Sequence, residues 1–240
     1  MDVGIGELAV ALVAVLIGSL VQGTIGFGLN LFAAPFIALV IPEALPVTVV
    51  LVAWPVGGVT AFREHHALDH RALPWLLGGA VPGTLVGLAI VTQATADDLA
   101  VIVGAVTLLG VALSVVTPPI HVSPTSAGLA GFIANITGTA ASVGGPPVAL
   151  LYQHHRGPTV RATLGVFFAV SATFSVIGYA ATGEITAERL LLALALIPAM
   201  LTGIWASKHF HHLVDHRWLR PAMLSMCTVA GTAAILRGAT

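Results

Sequence analysis

Few residues of this chain carry a charge. Asp, Glu, Lys and Arg make up 8% of the sequence, against roughly 25% in an ordinary soluble domain. Hydrophobic residues make up 57%, and apolar runs recur along the whole length, which leaves no room for a sizeable soluble domain. The composition excludes a water-soluble fold and predicts a single membrane-embedded domain over residues 1–240.

Other scarcities exclude further classes of function. Cys227 is the only cysteine, so neither a disulfide framework nor a Cys-based metal site is expected. The net charge of −1 gives no reason to expect a nucleic-acid partner. Nucleophile motifs and phosphate loops are absent, and solvated histidines are favoured over a His-based metal site. We therefore expect no catalytic residues, no cofactor and no bound metal.

Two stretches contain no Asp, Glu, Lys, Arg or His at all, yet are rich in Gly, Pro, Thr and Asn: residues 8–42 and 122–153. A helical crossing of the bilayer needs ~20 residues, so each stretch is too long for one crossing and too short for two crossings with a turn. Each is predicted to form a pair of short or broken helices. Non-helical backbone is tolerated at membrane depth where it lines a cavity, and paired broken segments mark binding sites in transporters.

Six other uncharged runs are long enough for full spans. They are residues 44–62, 72–92, 99–117, 162–182, 190–207 and 221–236. Two segments from each broken stretch bring the total to ten, five in each half of the chain. The predicted fold is an all-α, polytopic integral membrane protein with about 8–10 transmembrane segments in two inverted repeats of five, with broken or re-entrant helices. Repeat one covers residues 1–117 and repeat two covers residues 122–240.

The charges indicate the orientation. Ten segments place the loops near residues 63–71, 118–124, 154–161 and 208–220 on one face, with seven of the nine basic residues: Arg63, Arg71, Arg156, Arg161, Lys208, Arg217 and Arg220. The other face is mainly acidic. By the positive-inside rule the basic face is cytoplasmic, which predicts a multi-pass protein of the cell membrane with both termini outside. An odd number of segments per repeat inverts the second repeat, as the reversed loop charges require.

The broken stretches supply the candidate site. A half-helix that presents its N-terminus to the membrane interior attracts an anion through its unpaired N–H groups and its dipole, without a buried Arg or Lys. Pro35 and Pro147 are predicted to break the helices. The alternative is that the polar side chains only bond to neighbouring helices. The predicted substrate-binding residues are Gln22, Thr24, Gly26, Gly28, Asn30, Asn135, Thr137, Thr139, Ser142, Gly144 and Gly145.

A rival hypothesis rests on residues 24–28. Their sequence, TIGFG, resembles the selectivity filter of potassium channels, in which four such loops line a pore with backbone carbonyls. The second repeat has no matching pentapeptide, and the many further segments do not fit a pore helix between an outer and an inner helix. An ion channel stays an alternative to a transporter, as does a membrane enzyme or assembly factor.

The two glycine-rich stretches resemble the sulfite exporter TauE/SafE family, also called the TSUP family. The matching segments are GTIGFGLNLFAAPFIAL at residues 23–39 and ITGTAASVGGPPVALLY at residues 136–152, with Arg161 and Gly165 also in character. The resemblance implies a membrane transporter, an exporter or permease, for small anions such as sulfite, sulfonates or related compounds. The family's first motif is often richer in glycine, so Leu29, Asn30 and Leu31 depart from it. The resemblance leaves the direction of transport and the oligomeric state open.

Overall fold

The computed structural model of the protein describes residues 3–116, 120–153, 155, 157–210 and 216–239. Within these residues the regular structure is helical, without a strand, and comprises ten α-helices with short 3₁₀ turns at Pro42–Ala44 and His65–Ala67. The helices are α1 (Ile5–Ile25), α2 (Leu29–Val40), α3 (Val47–Glu64), α4 (Leu73–Val91), α5 (Ala96–Val116), α6 (Pro124–Ala141), α7 (Gly145–Tyr152), α8 (Gly157–Ala181), α9 (Ala187–Phe210) and α10 (His216–Gly238).

Five of these helices, α1, α4, α5, α8 and α9, are long and apolar enough to cross a membrane by length and composition. Shorter apolar helical runs cover Leu29–Val40, Val47–Thr60 and Leu224–Gly238. The prediction of an all-α, multi-pass membrane protein is confirmed.

Each charge-free stretch is a pair of helices, but the breaks are not at the prolines. The chain leaves the helix at residues 26–28, between α1 and α2, and at residues 142–144, between α6 and α7. Pro35 lies inside α2, which continues to Val40, so its assignment as a helix breaker is wrong. Pro147 lies in the first turn of α7, where the missing N–H has no helical acceptor in any case.

Several basic residues predicted in loops are helical instead. Helix α8 begins at Gly157 and so includes Arg161. Helix α9 extends to Phe210, and α10 begins at His216, so Lys208, Arg217 and Arg220 belong to helices. Helices of 23 to 25 residues exceed the ~20 needed to cross the hydrocarbon core. Their ends extend into the polar interface, where Arg and Lys are tolerated.

The helices pack in pairs, and the pattern of pairs stays the same when each helix is replaced by its counterpart in the other half of the chain. The main pairs are α1 with α9, α4 with α6, α3 with α8, and α5 with α10. If α6 to α10 are counterparts of α1 to α5, then α1–α9 corresponds to α6–α4, and each of the other two pairs corresponds to itself. The contacts therefore support two equivalent groups of five helices.

Glycine permits the close approach of these pairs. A Cβ on Gly131 of α6 would lie 2.0 Å from the carbonyl oxygen of Leu76 in α4, and a Cβ on Gly203 of α9 would lie 2.4 Å from the carbonyl oxygen of Leu16 in α1. Small residues drive helix association in membranes because they let backbones come together. The α4–α6 pair and the α1–α9 pair thus both pack closely through a glycine.

Candidate functional site

A cavity of about 70 Å³ lies where the two broken helix pairs meet α3 and α8. It contains seven of the predicted binding residues, and among the described residues that line it none is acidic, basic or histidine. Its lining residues are Gln22, Phe27, Gly28, Asn30, Leu31, Val50, Ala53, Ala134, Asn135, Gly138, Ser142, Gly144, Gly145, Phe167, Phe168, Ser171, Ala172 and Ser175. We call this space the central cavity.

The first break places the start of α2 at the central cavity, which Gly28, Asn30 and Leu31 line. Gly26 and Gly28 have φ angles of 100° and 127°, which favour glycine. Gln22 accepts a hydrogen bond from the Leu29 N–H through Oε1 at 3.1 Å. The next two amides of α2, those of Asn30 and Leu31, lie in the first turn, where a helix offers them no acceptor. A helix N-terminus with unpaired donors favours an anion.

The second break is chemically different. Ser142 has a φ of 61°, and its hydroxyl donates a hydrogen bond of 2.9 Å to the carbonyl oxygen of Pro46. Helix α7 begins at Gly145 and continues with Pro146 and Pro147, which carry no N–H. The first turn of α7 therefore offers fewer amide donors than that of α2, and the donors of the site come mainly from the first repeat.

The two cavity asparagines differ in their bonding. The Asn135 Nδ2 group donates to the carbonyl oxygen of Ala80 at 3.0 Å and to the Thr84 hydroxyl, which ties α6 to α4. The Asn30 Oδ1 atom is buried without a hydrogen-bond partner among the described residues. Because buried polar atoms are normally satisfied, this oxygen marks a place for a hydrogen-bond donor, such as a water molecule or a protonated ligand, and not for a bare anion.

Four predicted binding residues do not line the central cavity. The Thr24 hydroxyl donates to the carbonyl oxygen of Val21 within α1, and Gly26 packs under Arg161. Thr137 bonds back to the preceding turn of α6. Thr139 is buried and pairs with the Ser175 hydroxyl at 2.8 Å. The hydrogen bonds of Thr137 and Thr139 are made within the protein, which agrees with the alternative that these side chains serve packing and not substrate binding.

Sequence reasoning missed the wall that α8 provides. Ser171 lies on the central cavity, is 5% exposed and is one turn before Ser175. Phe167 and Phe168 line the same wall. Two serines at a spacing of four residues within an apolar span share one helix face, and that spacing was the available signal.

A second, larger space opens beside the central cavity. It has a volume of about 450 Å³ and shares Phe27, Gly28 and Leu31 with the central cavity. The Phe27 ring lies close to Gly145, where an added Cβ would be 3.2 Å from Cδ2 of the ring. We call this space the vestibule. Its other lining residues include Thr24, Tyr152, Gln153, His155 and Arg161.

Bonds between the two halves of the chain lie at the opposite end of the molecule. Besides the Ser142 to Pro46 bond, Arg189 donates through Nε to the carbonyl oxygen of Glu43 at 3.0 Å. Within the second half, the Tyr179 hydroxyl donates to the carbonyl oxygen of Thr139, and Arg189 forms an ion pair with Glu184 at 2.7 Å. We call this the Arg189 end and the vestibule side the Arg161 end.

The geometry of the described residues supports neither a carbonyl selectivity filter at residues 24–28 nor a metal site. Thr24 and Ile25 are the last residues of α1, so TIGFG is not the extended loop that a carbonyl filter requires. Among the described residues, no group of three His, Cys, Asp or Glu side chains could hold a metal ion. His154, His211 and His212 lie outside the described residues.

Two broken helix pairs around an uncharged cavity, within a bundle of apolar helices, define a multi-pass membrane protein of the transporter class. The sequence model of the sulfite exporter TauE/SafE family matches residues 10–234, and the chain belongs to this family. Neither a curated protein nor a solved structure gave a significant match.

Proposed function

We propose that the protein carries small anions, sulfite, sulfonates or related organosulfur compounds, across the cell membrane through the central cavity. The observation that carries this proposal is the meeting of both broken helix pairs at one uncharged cavity of about 70 Å³. A water molecule takes up about 30 Å³ of the liquid, so the cavity suits a solute of a few heavy atoms.

Hydrogen-bond donors favour an anion as this solute. The amides of Asn30 and Leu31 begin α2 at the cavity, and the capping of Leu29 by Gln22 Oε1 leaves the Nε2 group of Gln22 to donate to a ligand. Helix N-termini stabilise negative charge without a compensating cation. An oxyanion with several acceptor oxygens can take all of these donors at once.

The exchange of helix pairs supports two repeats of inverted orientation, residues 1–117 and 122–240. In such transporters, rocking of one repeat against the other exposes a fixed site to each side in turn. The vestibule at the Arg161 end and the bonds at the Arg189 end correspond to a state open at the Arg161 end only. The charge pattern favours a cytoplasmic Arg161 end, with both termini outside.

Uptake into proteoliposomes tests the function. Purified protein is reconstituted and offered sulfite, sulfate, taurine, sulfoacetate and acetate in turn, with protein-free liposomes as the control. Saturable uptake and counterflow of at least one sulfur anion are expected. Single-channel conductance without saturation supports a channel instead, and conversion of a substrate to product supports an enzyme.

Labelling tests the orientation. Cysteines replace Arg71 and Arg217 one at a time, after the single native cysteine, Cys227, has been changed to alanine. Both introduced cysteines are expected to react with an impermeant maleimide only from the cytoplasm. Reaction from opposite sides contradicts the proposed arrangement of segments.

A further inference from the structure

We propose that Phe27 is a gate between the vestibule and the central cavity and that its ring selects solutes by size. The proposal rests on the function proposed above and adds a specificity-determining residue to it. The phenyl ring lies between the two spaces, and a solute passes when the ring moves aside. A small oxyanion requires a small displacement of the ring, whereas a bulkier anion requires a larger and more costly one.

The boundary between the two spaces is formed by the three residues that line both, Phe27, Gly28 and Leu31. Gly28 has no side chain. Leu31 belongs to α2, is 5% exposed and packs against α5, where its Cδ1 atom lies 3.5 Å from a Cβ added at Gly110. The Phe27 ring lies close to Gly145 of α7. Among the described residues at this boundary, Phe27 therefore has the side chain that can obstruct the passage and clear it.

The backbone around Phe27 favours such a movement. Helix α1 ends at Ile25 and α2 begins at Leu29, and the glycines on either side of Phe27 have φ angles of 100° and 127°. Glycine can take backbone conformations that other residues rarely adopt, and a phenyl ring has no hydrogen-bonding group to hold it. The ring is partly exposed, and the vestibule of about 450 Å³ offers space into which it can turn.

The Phe27 side chain packs against two hydrophobic clusters. One includes Leu29 and Phe32 of α2, and the other includes Ala134 of α6 and Leu164 of α8. A shift of one cluster relative to the other changes the contacts on one side of the ring. The position of the ring thus depends on the arrangement of the helices, as a gate in an alternating-access transporter requires.

The chemistry of the ring suits exclusion and not binding. A phenyl ring offers an anion no hydrogen-bond donor, and its π face carries partial negative charge. The polar side chains of Gln22, Asn30 and Asn135 line the central cavity, beyond the ring. An anion therefore gains little by stopping at Phe27, and the ring acts on the size of the solute.

The second break has an aliphatic residue at the corresponding position. Gly28 and Gly144 each directly precede the first residue of the next helix, so Val143 is the counterpart of Phe27. Val143 is 1% exposed and lines neither the central cavity nor the vestibule. The structure thus places an aromatic ring at the Arg161 end of the central cavity and a packed valine at the second break.

Cysteine labelling tests the gate. A reporter cysteine replaces Ala53, which lines the central cavity, or Ala149, which lines the vestibule, in a Cys227→Ala background. Its rate of reaction with a sulfonatoethyl methanethiosulfonate is measured on purified protein in detergent, with and without Phe27→Ala or Phe27→Trp. We expect the rate at Ala53→Cys to rise on the order of tenfold in Phe27→Ala, because the ring no longer has to leave its apolar contacts, and to fall in Phe27→Trp. The rate at Ala149→Cys, in front of the ring, should stay close to that of the parent.

Phe36→Ala is the matched control. Phe36 is another partly buried phenylalanine of the first broken stretch, its ring contacts that of Phe32, and it lines neither space. Its loss should leave both labelling rates unchanged. In proteoliposomes, Phe27→Ala should also raise the uptake of sulfoacetate relative to that of sulfite, since the bulkier anion gains more from the loss of the ring.

Three results overturn the gate: equal rates at Ala53→Cys in the Phe27 variants and the parent, an equal change of rate at Ala53→Cys and Ala149→Cys, or an unchanged ratio of sulfoacetate to sulfite uptake in Phe27→Ala. If Phe27→Ala does not assemble, Phe27→Leu and Phe27→Trp decide, since they change the bulk of the side chain in opposite directions. The labelling rates do not depend on transport. Absence of uptake of every anion by the parent therefore contradicts the proposed function, and the labelling rates test the gate by themselves.

Discussion

The hydroxyl of Ser142 donates a hydrogen bond to the carbonyl oxygen of Pro46 at 2.9 Å, and this bond ties the second break to the start of α3. It joins residues 96 positions apart at the Arg189 end. In the proposed transport cycle, opening this end requires the bond to break, so we expect the conformational equilibrium to depend on it.

Ser142→Ala is expected to favour opening at the Arg189 end. The change removes a bond between helices, which in membranes contributes about 0.6 kcal/mol on average, and leaves a methyl group at a positive φ. A cysteine at Val50, which lines the central cavity, should then react faster with an impermeant maleimide added from the Arg189 side. Thr202→Ala is the matched control, because the Thr202 hydroxyl only bonds to Pro198 within α9. An equal labelling rate in Ser142→Ala and the parent contradicts this role.

The Gln22→Glu variant should distinguish two roles of this side chain, the capping of α2 and the binding of the substrate. A glutamate keeps an acceptor for the Leu29 N–H but replaces the Nε2 donor with an oxygen that repels an anion. We expect thermal stability in detergent close to that of the parent and a KM for sulfite raised tenfold or more. Gln22→Leu, which removes the cap as well, should lower both stability and uptake. Unimpaired uptake by Gln22→Glu excludes an anion next to this side chain.

Asn30→Leu and Asn135→Leu should differ in their effect on stability. The Asn135 amide bonds to α4, so its loss leaves the carbonyl oxygen of Ala80 without this donor and lowers the melting temperature. Asn30 has no such bond to lose. Both variants should raise the KM, and Asn30→Leu should do so at parental stability and membrane expression. Unchanged transport in both variants would reduce these asparagines to packing residues.

Ser171→Ala tests the wall that sequence reasoning missed. Its hydroxyl is expected to donate to the anion, so the KM should rise a few-fold, as for the loss of one hydrogen bond of about 1 kcal/mol. Ser175→Ala serves for comparison, because that hydroxyl bonds to Thr139 and its loss should reduce stability. A KM that is the same in Ser171→Ala and the parent removes α8 from the substrate contacts.

The sequence was most informative where charge is missing. A crossing has a fixed length, so the uncharged stretches at residues 8–42 and 122–153 had to fold as helix pairs, and both do. The positions of the breaks between the helices were harder to predict from the sequence. Pro35 lies within α2 because a membrane helix tolerates the loss of one backbone bond, whereas Gly26, Gly28 and Ser142 take the positive φ angles.

The partners of the polar side chains could not be predicted. Whether Asn135 faces a ligand or Ala80, and whether Thr139 faces the cavity or Ser175, depends on the rotation and register of helices far apart in the sequence. These are set by close contacts such as that of Gly131 with Leu76. The periodicity of one segment contains no information about them.

Anomalous diffraction from crystals soaked in selenite tests the central claim most directly, since selenite is a heavy analogue of sulfite. Competition with sulfite uptake first establishes that selenite uses the same path. We expect an anomalous peak in the central cavity, between the start of α2 at Asn30 and the start of α7 at Gly145. Effective competition without a peak in this cavity would contradict substrate binding there.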